Sequence, residues 1–509
     1  MNRIANKCYV NDGVYFRGFA FLENTIQSGH ELSKKLSVMN TPEEIISFIS
    51  KLNGSFSIIV DTDEFTLAFQ DHFSTYHLCY SLFNQELYIS DSVNYIVKMT
   101  SQQNICQDGY SDLVYTGYIN FNETFVENIY KLMPSEYILF DKKTSQLSRD
   151  KYFKYTYVKE NIYDDSSLTK RFDKVVDNVI GRLKTRLNKR QCVLMLSGGV
   201  DSRFCAMLLK KMNYENTILV TYGSKHSEEY QPAVKAAEKL GFKHVFIKHN
   251  RREWANVYEE EESLDYVDYA SNMMVTAHLR EHFVIRELLT KNIIQKNAII
   301  VPGHLGNVAG RSFYSEEMLN ISLTPVMYRS RMMFYDYKNM ESVQMKYLKE
   351  RVKCISDEMS LHKDFYDLCQ AYERFSLDSY TVLYLINSVR AYDFYGLEWH
   401  MPLLDNDILD FFSHVSIEKK YMKKFLYEYV DSFFGPIPYA SSSKNYFLKV
   451  VRNILDERYS CIHFFKAVSL VCDANRHLPL IKRLYRYYRN FSCYCAVIET
   501  DLMKKQLNK

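Results

Sequence analysis

Ser197, Asp201 and Ser202 are interleaved with Gly198 and Gly199 in the run Leu194-Met195-Leu196-Ser197-Gly198-Gly199-Val200-Asp201-Ser202. Residues of these types at this spacing suit a polyanion. Paired glycines let the backbone turn sharply and approach a ligand closely, the two hydroxyls add polar contacts, and Asp201 adds a carboxylate suited to a metal ion. The apolar residues before the run predict a buried strand, and Phe204 to Lys211 predicts a helix whose first N–H groups face the same anion. A glycine turn between strand and helix is also a common structural device; the serines and aspartate in register with it favour ligand binding. The run lacks the terminal Gly-Lys-Ser/Thr and the longer spacing of a Walker loop, which disfavours phosphoryl transfer. Such a cradle suits a pyrophosphate and points to chemistry on ATP.

The elements that must position this run follow from a change of periodicity along the chain. Up to about residue 150 short alternating strands are predicted at Gly13 to Phe21, Ser55 to Asp61, Phe65 to Gln70, His77 to Phe83, Glu86 to Ser90 and Glu136 to Phe140. Helices fall between them at Thr41 to Leu52 and Val93 to Thr100. From Leu168 the order becomes helix, buried strand at Cys192 to Leu196, helix, strand at Thr217 to Tyr222, helix at Ser227 to Leu240 and strand at His244 to Ile247. That succession is βαβ, which implies a parallel sheet with its crevice at the strand carboxyl ends, where the glycine turn falls. Beyond residue 265 the chain is mainly helical, apart from a strand at Ala298 to Val301. No internal repeat is found.

At 509 residues the chain is long enough for two or three domains, and no apolar run reaches membrane-spanning length. The polar start Met-Asn-Arg-Ile-Ala-Asn-Lys lacks the apolar core of a signal peptide, so a cytoplasmic protein is expected. Eleven cysteines include no Cys-x-x-Cys pair, so reduced thiols are expected in place of zinc sites or a disulfide framework. A net charge of +3 implies no nucleic-acid partner, and the basic, aromatic stretch from Lys482 to Arg489 reads as a solvated helix face.

Further segments occur in a fixed order. In the first half Leu52-Asn53-Gly54-Ser55-Phe56 is followed by Asp71-His72-Phe73-Ser74-Thr75-Tyr76-His77-Leu78-Cys79-Tyr80, Ile89-Ser90-Asp91, Gly117-Tyr118 and Ile129-Tyr130-Lys131-Leu132-Met133-Pro134. The second half adds Pro302-Gly303-His304-Leu305-Gly306-Asn307, Gly396-Leu397-Glu398-Trp399-His400-Met401-Pro402-Leu403-Leu404-Asp405 and the stretch Pro436 to Phe447. The series, over roughly residues 50 to 450, resembles the asparagine synthetase family, in particular divergent members from bacterial polysaccharide loci. The fold implied is α/β and α+β in two domains. An N-terminal β-rich Ntn-hydrolase-like sandwich, of the class II glutamine amidotransferase type, spans residues 1–155. An adenine-nucleotide α-hydrolase-like (PP-loop) parallel-sheet synthetase domain spans 165–455, and a helical extension 456–509.

What the resemblance implies is ATP-dependent adenylation of a carboxylate, release of pyrophosphate and attack by an amine to form an amide. In this reading Ser197, Gly198, Gly199 and Ser202 bind pyrophosphate, Asp201 and Asn307 hold Mg2+, and Leu196, Tyr222 and Gly303 lie against the adenosine. Lys444 falls on the family's catalytic lysine, and Glu398 is expected to orient substrate or assist proton transfer. Glu398 and Asp405 have an alternative structural reading, as caps of a helix beginning near Asn406. The partners implied are a small-molecule carboxylate, which is an amino acid, sugar acid or peptide, and ammonia or an amine donor; a homodimer is compatible with the series.

The chain departs from the family at two points. Glutamine-dependent members use an N-terminal cysteine as nucleophile; here residue 2 is Asn2, the nearest thiol is Cys8, and the glutamine-binding segments are not evident. Glutamine independence is therefore expected, with Cys8 a small strand residue. Asn307 stands where the family has a second metal-binding aspartate, which leaves Asp201 a larger share of the metal. Other readings are a catalytically weak ATP-binding homologue, an intramolecular amide-forming enzyme like β-lactam synthetase or lasso-peptide cyclase, and a glutaminase restored by processing to Cys8.

Overall fold

The computed structural model describes residues 8–156, 158, 165–249, 257–306, 370, 373–374, 377–435, 437, 439, 499–500 and 502–507. Its first half alternates strands and short helices: β1 (Tyr9–Asn11), β2 (Val14–Leu22), β3 (Thr25–Gln27), α1 (Gly29–Leu36), α2 (Pro42–Ile49), β4 (Leu52–Asp61), β5 (Phe65–Gln70), β6 (Cys79–Phe83), β7 (Glu86–Ser90), α3 (Val93–Thr100), α4 (Gln107–Thr116), β8 (Tyr130–Lys131), β9 (Glu136–Asp141) and β10 (Gln146–Lys151). A seven-stranded antiparallel sheet has the order β1-β2-β4-β5-β9-β10, with β3 on β2, and a smaller sheet has the order β7-β6-β8. Alternation of side chains across the pleat divides the core between them. Ile58 of β4 and Leu67 of β5 face α1 and α2, against Leu32 and Ile45. Their neighbours Ile59 and Ala68 face the second sheet, against Leu78 and Ile89. On its outer side that sheet carries α3 and α4 through Cys79, Val93, Ile96 and Leu113. The result is the four-layered αββα arrangement of an Ntn-hydrolase-like sandwich, with β4 and β5 buried on both faces.

Between Lys151 and Asp165 the pattern changes. Helix α5 (Asp165–Leu187) leads into β11 (Cys192–Met195), α6 (Val200–Lys211), β12 (Thr217–Gly223), α7 (Tyr230–Leu240), β13 (Lys243–Lys248), α8 (Glu261–Ser271), α9 (Leu279–Thr290) and β14 (Ile299–Val301). Later come α10 (Arg390–Phe394), β15 (Glu398–Trp399), α11 (Asn406–Ser413), α12 (Ile417–Lys420) and α13 (Lys424–Phe434). The five strands are parallel, in the order β13-β12-β11-β14-β15. The chain therefore winds outward from β11 in one direction and returns to add β14 and β15 on the other side. The switch point lies between β11 and β14, where an open parallel sheet forms its ligand crevice at the carboxyl ends. Cys192, Val193 and Leu194 of β11 are fully buried, covered by Phe172 and Val176 of α5 and by Phe204 and Leu208 of α6.

Part of the carboxyl-terminal extension is also in place. Residues 499–500 and 502–507 are helical, and Met503 and Leu507 sit in the same cluster as Val93 and Leu113 of α3 and α4. The end of the chain thus packs back on the amino-terminal domain. Burial raises the Glu499 carboxyl to about 8, against the Ala277 N–H and Tyr258 hydroxyl that it accepts.

Two sequence segments far apart meet where the domains join. Arg182 of α5 makes a two-pronged contact with Asp405, at 2.7 and 2.8 Å, and reaches Asp407 at 2.6 Å. Asn53 donates to Asp405 at 2.9 Å, and Asp405 caps α11 by accepting from the Asp407 N–H. The side chains of Arg182 and Asp405 are 4% and 5% exposed, so each charge depends on the other. Replacing Arg182 by methionine is expected to lower stability by about 3–5 kcal/mol. It should appear as a lower urea midpoint at unchanged slope. Lys291→Ala, which removes an exposed pair with Glu287, should change stability by less than about 1 kcal/mol. Equal effects of the two substitutions would refute a central role for Arg182.

Candidate active site

The glycine turn is held by its own hydroxyls. Ser202 is fully buried; its Oγ accepts from the Ser197 N–H at 3.1 Å and lies 3.0 and 3.1 Å from the carbonyl oxygens of Ser197 and Gly199. Its single proton serves one of those carbonyls at a time. Ser197 Oγ accepts from the Gly199 N–H at 3.2 Å. Ser202 therefore shapes the turn from beneath, while Ser197, Gly199 and Asp201 remain partly accessible and Gly198 is buried. Gly199 precedes α6 without any side-chain cap, as expected for a helix start that offers N–H groups to an anion.

The loop after β14 closes over this turn. A Cβ on Gly303 would lie 1.9 Å from the Met195 carbonyl oxygen, so the two chains approach as closely as only glycine permits. Three residues on, the Gly306 N–H donates to Asp201 Oδ2 at 2.9 Å. The other carboxylate oxygen lies 2.5 Å from Lys423 Nζ. Lys423 comes from the segment immediately before α13, a helix that packs on α6, and both it and Met422 have left-handed backbones with φ of +57° and +52°. Two such residues in succession cost on the order of 1–3 kcal/mol each, and they aim the ammonium at Asp201.

Opposite Asp201 the crevice wall is built from neutral rings and one carboxylate. Tyr222 at the end of β12 donates to Glu281 Oε1 at 2.9 Å and stacks on His249. His278 Nε2 donates to the Tyr384 carbonyl at 2.7 Å, and its Nδ1 faces Glu281 Oε2 at 3.9 Å. His304 bonds to Ser388 at 2.9 Å. Burial lowers the pKa of His278 and His304 and raises that of Tyr222, so near neutral pH these groups are uncharged. Leu196 is buried beside this wall, its carbonyl accepting from Thr221 Oγ1.

Of the residues singled out from sequence, Leu196, Ser197, Gly198, Gly199, Asp201, Ser202, Tyr222 and Gly303 lie together at the carboxyl end of the sheet. Glu398 does not. It pairs in register with Ile299, which pairs with Cys192, so it stands at the amino end of the strands. Five residues separate that level from Ser197, roughly 16 Å at strand spacing. Burial raises the Glu398 pKa, but Arg186 and Arg190, at 2.5 and 2.6 Å, outweigh it and hold the carboxyl below its ordinary range. His400 packs against Phe19 of the other domain, with neither ring nitrogen hydrogen-bonded among the described residues; burial pushes it down to about 3. Lys444 and Asn307 lie outside the described residues. Lys423 and Glu281 escaped the sequence reading because no local motif marks them; only the fold brings them to the crevice.

Cys8 lies just before β1, half-buried, and its thiol donates to its neighbour's carbonyl at 3.3 Å. Burial, reinforced by Asp91, pushes the thiol up to about 11.

A family model described as asparagine synthase matches residues 183–458, more than half of the chain. The chain belongs to the asparagine synthase family. The match spans the glycine turn, the Gly303 loop, Glu398 and Lys423. No curated protein matches the chain in sequence. Solved structures that resemble it include an NH3-dependent NAD synthetase from Campylobacter jejuni in complex with nitrate, at 17% identity and TM-score 0.22, covering 38% of this chain and 94% of that one. Another is a glutamine phosphoribosylpyrophosphate amidotransferase from B. subtilis complexed with ADP and GMP, at 10% identity and TM-score 0.21, covering 68% and 70%. Likenesses this low carry no argument of their own.

The two loop glycines of this asparagine synthase family member should respond differently to alanine. In Gly303→Ala the new methyl meets backbone, so the protein is expected to lose its folded state or its turn. At Gly306 the nearest atom is Asp201 Oδ1, 2.3 Å away at the end of a side chain that can move. Gly306→Ala should fold with a near-normal melting temperature and bind ATP more weakly, as read by titration calorimetry. Equal melting temperatures for both variants would contradict the backbone contact at Gly303.

Proposed function

We propose that this member of the asparagine synthase family activates a small-molecule carboxylate with ATP and converts it to an amide with ammonia or a primary amine, without a glutaminase of its own. The observation that carries this reading is the meeting of Asp201, Gly306 and Lys423 on the glycine turn at the sheet's switch point. A carboxylate oxygen attacks the α-phosphorus, pyrophosphate leaves, and an acyl-adenylate forms. The nitrogen lone pair then attacks the acyl carbon, AMP leaves with the C–O bonding pair, and the nitrogen loses a proton. The Ser197–Gly199 backbone and the start of α6 would cradle the departing pyrophosphate. Lys423, and Lys444 on the strength of the sequence match, would offset negative charge that grows on the phosphates in the adenylation step.

The donor set also suits Mg2+, which takes one or two carboxylates with substrate phosphates and keeps several waters. Asp201 would hold it, joined by Asn307 through its amide oxygen, and the ion would neutralise phosphate charge. Glu398, committed to Arg186 and Arg190 at the opposite end of the sheet, is assigned no part in the chemistry. Tyr222 and Gly303 remain the residues proposed to lie against the adenosine.

Independence of glutamine rests on Cys8. The thiol that would have to act as nucleophile has its pKa raised to about 11. Site-resolved alkylation of the intact protein at pH 8 should leave Cys8 largely unmodified, since the thiolate is the reactive form. An intact mass showing cleavage immediately before Cys8 would revive the glutaminase reading.

The reaction is tested by carboxylate-dependent exchange of pyrophosphate into ATP over a panel of amino acids, sugar acids and peptides, followed by product formation with ammonium or with glutamine. Asp201→Asn should lower exchange by about 100-fold or more. Ammonium should support amide formation and glutamine should not. Release of glutamate with turnover would overturn the proposed nitrogen source, and full exchange in Asp201→Asn would overturn the site.

A further inference from the structure

A second concave site lies on the amino-terminal domain. It is an open cleft of about 540 Å3, within the size range of small-molecule sites, over the sheet formed by β7, β6 and β8. Strand β6 starts at Cys79, whose thiol contacts Met274 of the synthetase domain, and runs outward to the cleft at Leu82 and Phe83. The cleft is thus separate from the ATP crevice, and its reading does not depend on the proposed reaction.

The floor is set by strand pairing. Tyr80 of β6 stands directly opposite Tyr130 of β8, with ring centroids 5.7 Å apart, and Leu82 follows Tyr80 on the same face. Leu82 is 40% exposed, unusual for a large apolar side chain. Three loops form the rim, and each puts a non-glycine residue in the left-handed region. Asn84 (φ +51°) comes from the β6–β7 turn, Ser101 (φ +56°) ends α3, and Asn128 (φ +61°) precedes β8.

The chemistry of the rim is selective. Five side-chain amides line it, from Asn84, Gln102, Gln103, Asn104 and Asn128, each offering a donor and an acceptor. Gln102 is engaged by Ser81, whereas the other four amides have no side-chain hydrogen bond among the described residues. No lysine, arginine or histidine lines the cleft, and Glu127 is its one acidic residue. Arg149, which hydrogen-bonds the Tyr80 hydroxyl, is paired with Glu136 at 3.2 Å, so a phosphate or carboxylate ligand would have to compete with that pair for positive charge. A ligand with neighbouring hydroxyls matches paired donors and acceptors, and its C–H faces match Tyr130, Phe83 and Leu82.

We propose that this cleft binds a neutral saccharide of mono- or disaccharide size. Saturation-transfer NMR on the full-length protein with glucose, galactose, N-acetylglucosamine, maltose and lactose tests it. Transfer to ring C–H protons is expected for at least one sugar, with a Kd on the order of 1 mM. Asn104→Arg, an exposed change that fills the rim, should abolish the transfer at an unchanged melting temperature. Tyr130→Ala should weaken binding at least about 10-fold. The proposal is overturned if no sugar shows transfer, if Asn104→Arg binds as well as the parent, or if glucuronate or glucose 6-phosphate binds more tightly than the neutral sugars.

Discussion

The guanidinium of Arg17 lies buried between carboxylates of both domains, 2.6 Å from Asp91 and 3.7 Å from Asp393. Each of these side chains is about one-tenth exposed, so an unpaired charge here would cost several kcal/mol. Asp393 is fixed further by Trp399 Nε1 at 3.0 Å and by Arg390 at 3.2 Å. Trp399 belongs to β15, the edge of the parallel sheet, and its ring stacks on Tyr76, over which Arg17 also lies. Displacing any of these groups strands the charge of another, and that constraint sets the relation of the β-rich sandwich to the edge of the synthetase sheet.

The constraint propagates through the backbone. Arg390 donates to the Thr75 carbonyl, in the segment organised by Asp71. Asp71 is fully buried and accepts from the N–H groups of Phe56, Phe73 and Thr75 and from the Thr75 hydroxyl. Burial nonetheless raises its pKa to about 6. The folded state then binds more protons than the unfolded one between about pH 4 and pH 6, so this group's effect on stability worsens as pH rises through that window. Its hydrogen bonds are what make the ionised form tolerable above it. Phe19, Tyr76, Trp399 and His400 fill the junction with rings, and Arg17 and Arg390 bolt it.

Much of this was legible in the sequence because its causes are local. An apolar strand, a double glycine and an amphipathic helix specify a strand–turn–helix wherever they occur, and β4, β5 and α3 announce themselves by period and capping residues. The site was legible to the extent that it is local too, from Leu196 to Ser202. Glu398 was misplaced because a motif gives neighbours and not register; pairing with Ile299 puts it at the amino end of the sheet. Asp405 does cap α11, as the alternative reading held, but its contacts with Asn53 and Arg182 join segments more than two hundred residues apart. Lys423 depends on a left-handed pair of residues, Met422 and Lys423, that propensity disfavours. The return of residues 502–507 to α3 and α4 is likewise a matter of tertiary packing.

The contact between Lys423 and Asp201 has consequences for the order of events at the turn. Without a nucleotide the ammonium and the carboxylate neutralise each other, and the Gly306 N–H completes the carboxylate's coordination. A triphosphate brings negative charge to the start of α6, where Asp201 alone would repel it. On the proposed reading Lys423 would answer that repulsion by sharing itself between Asp201 and the phosphates, and Asp201 would hold a divalent cation that supplies further positive charge there. Pairing with Lys423 offsets the Asp201 charge, which limits the desolvation cost in a partly buried site. A chain with Asn307 in place of a second acidic ligand gains most from such an internal cation, since its lone carboxylate must otherwise satisfy the metal and avoid the phosphates at once.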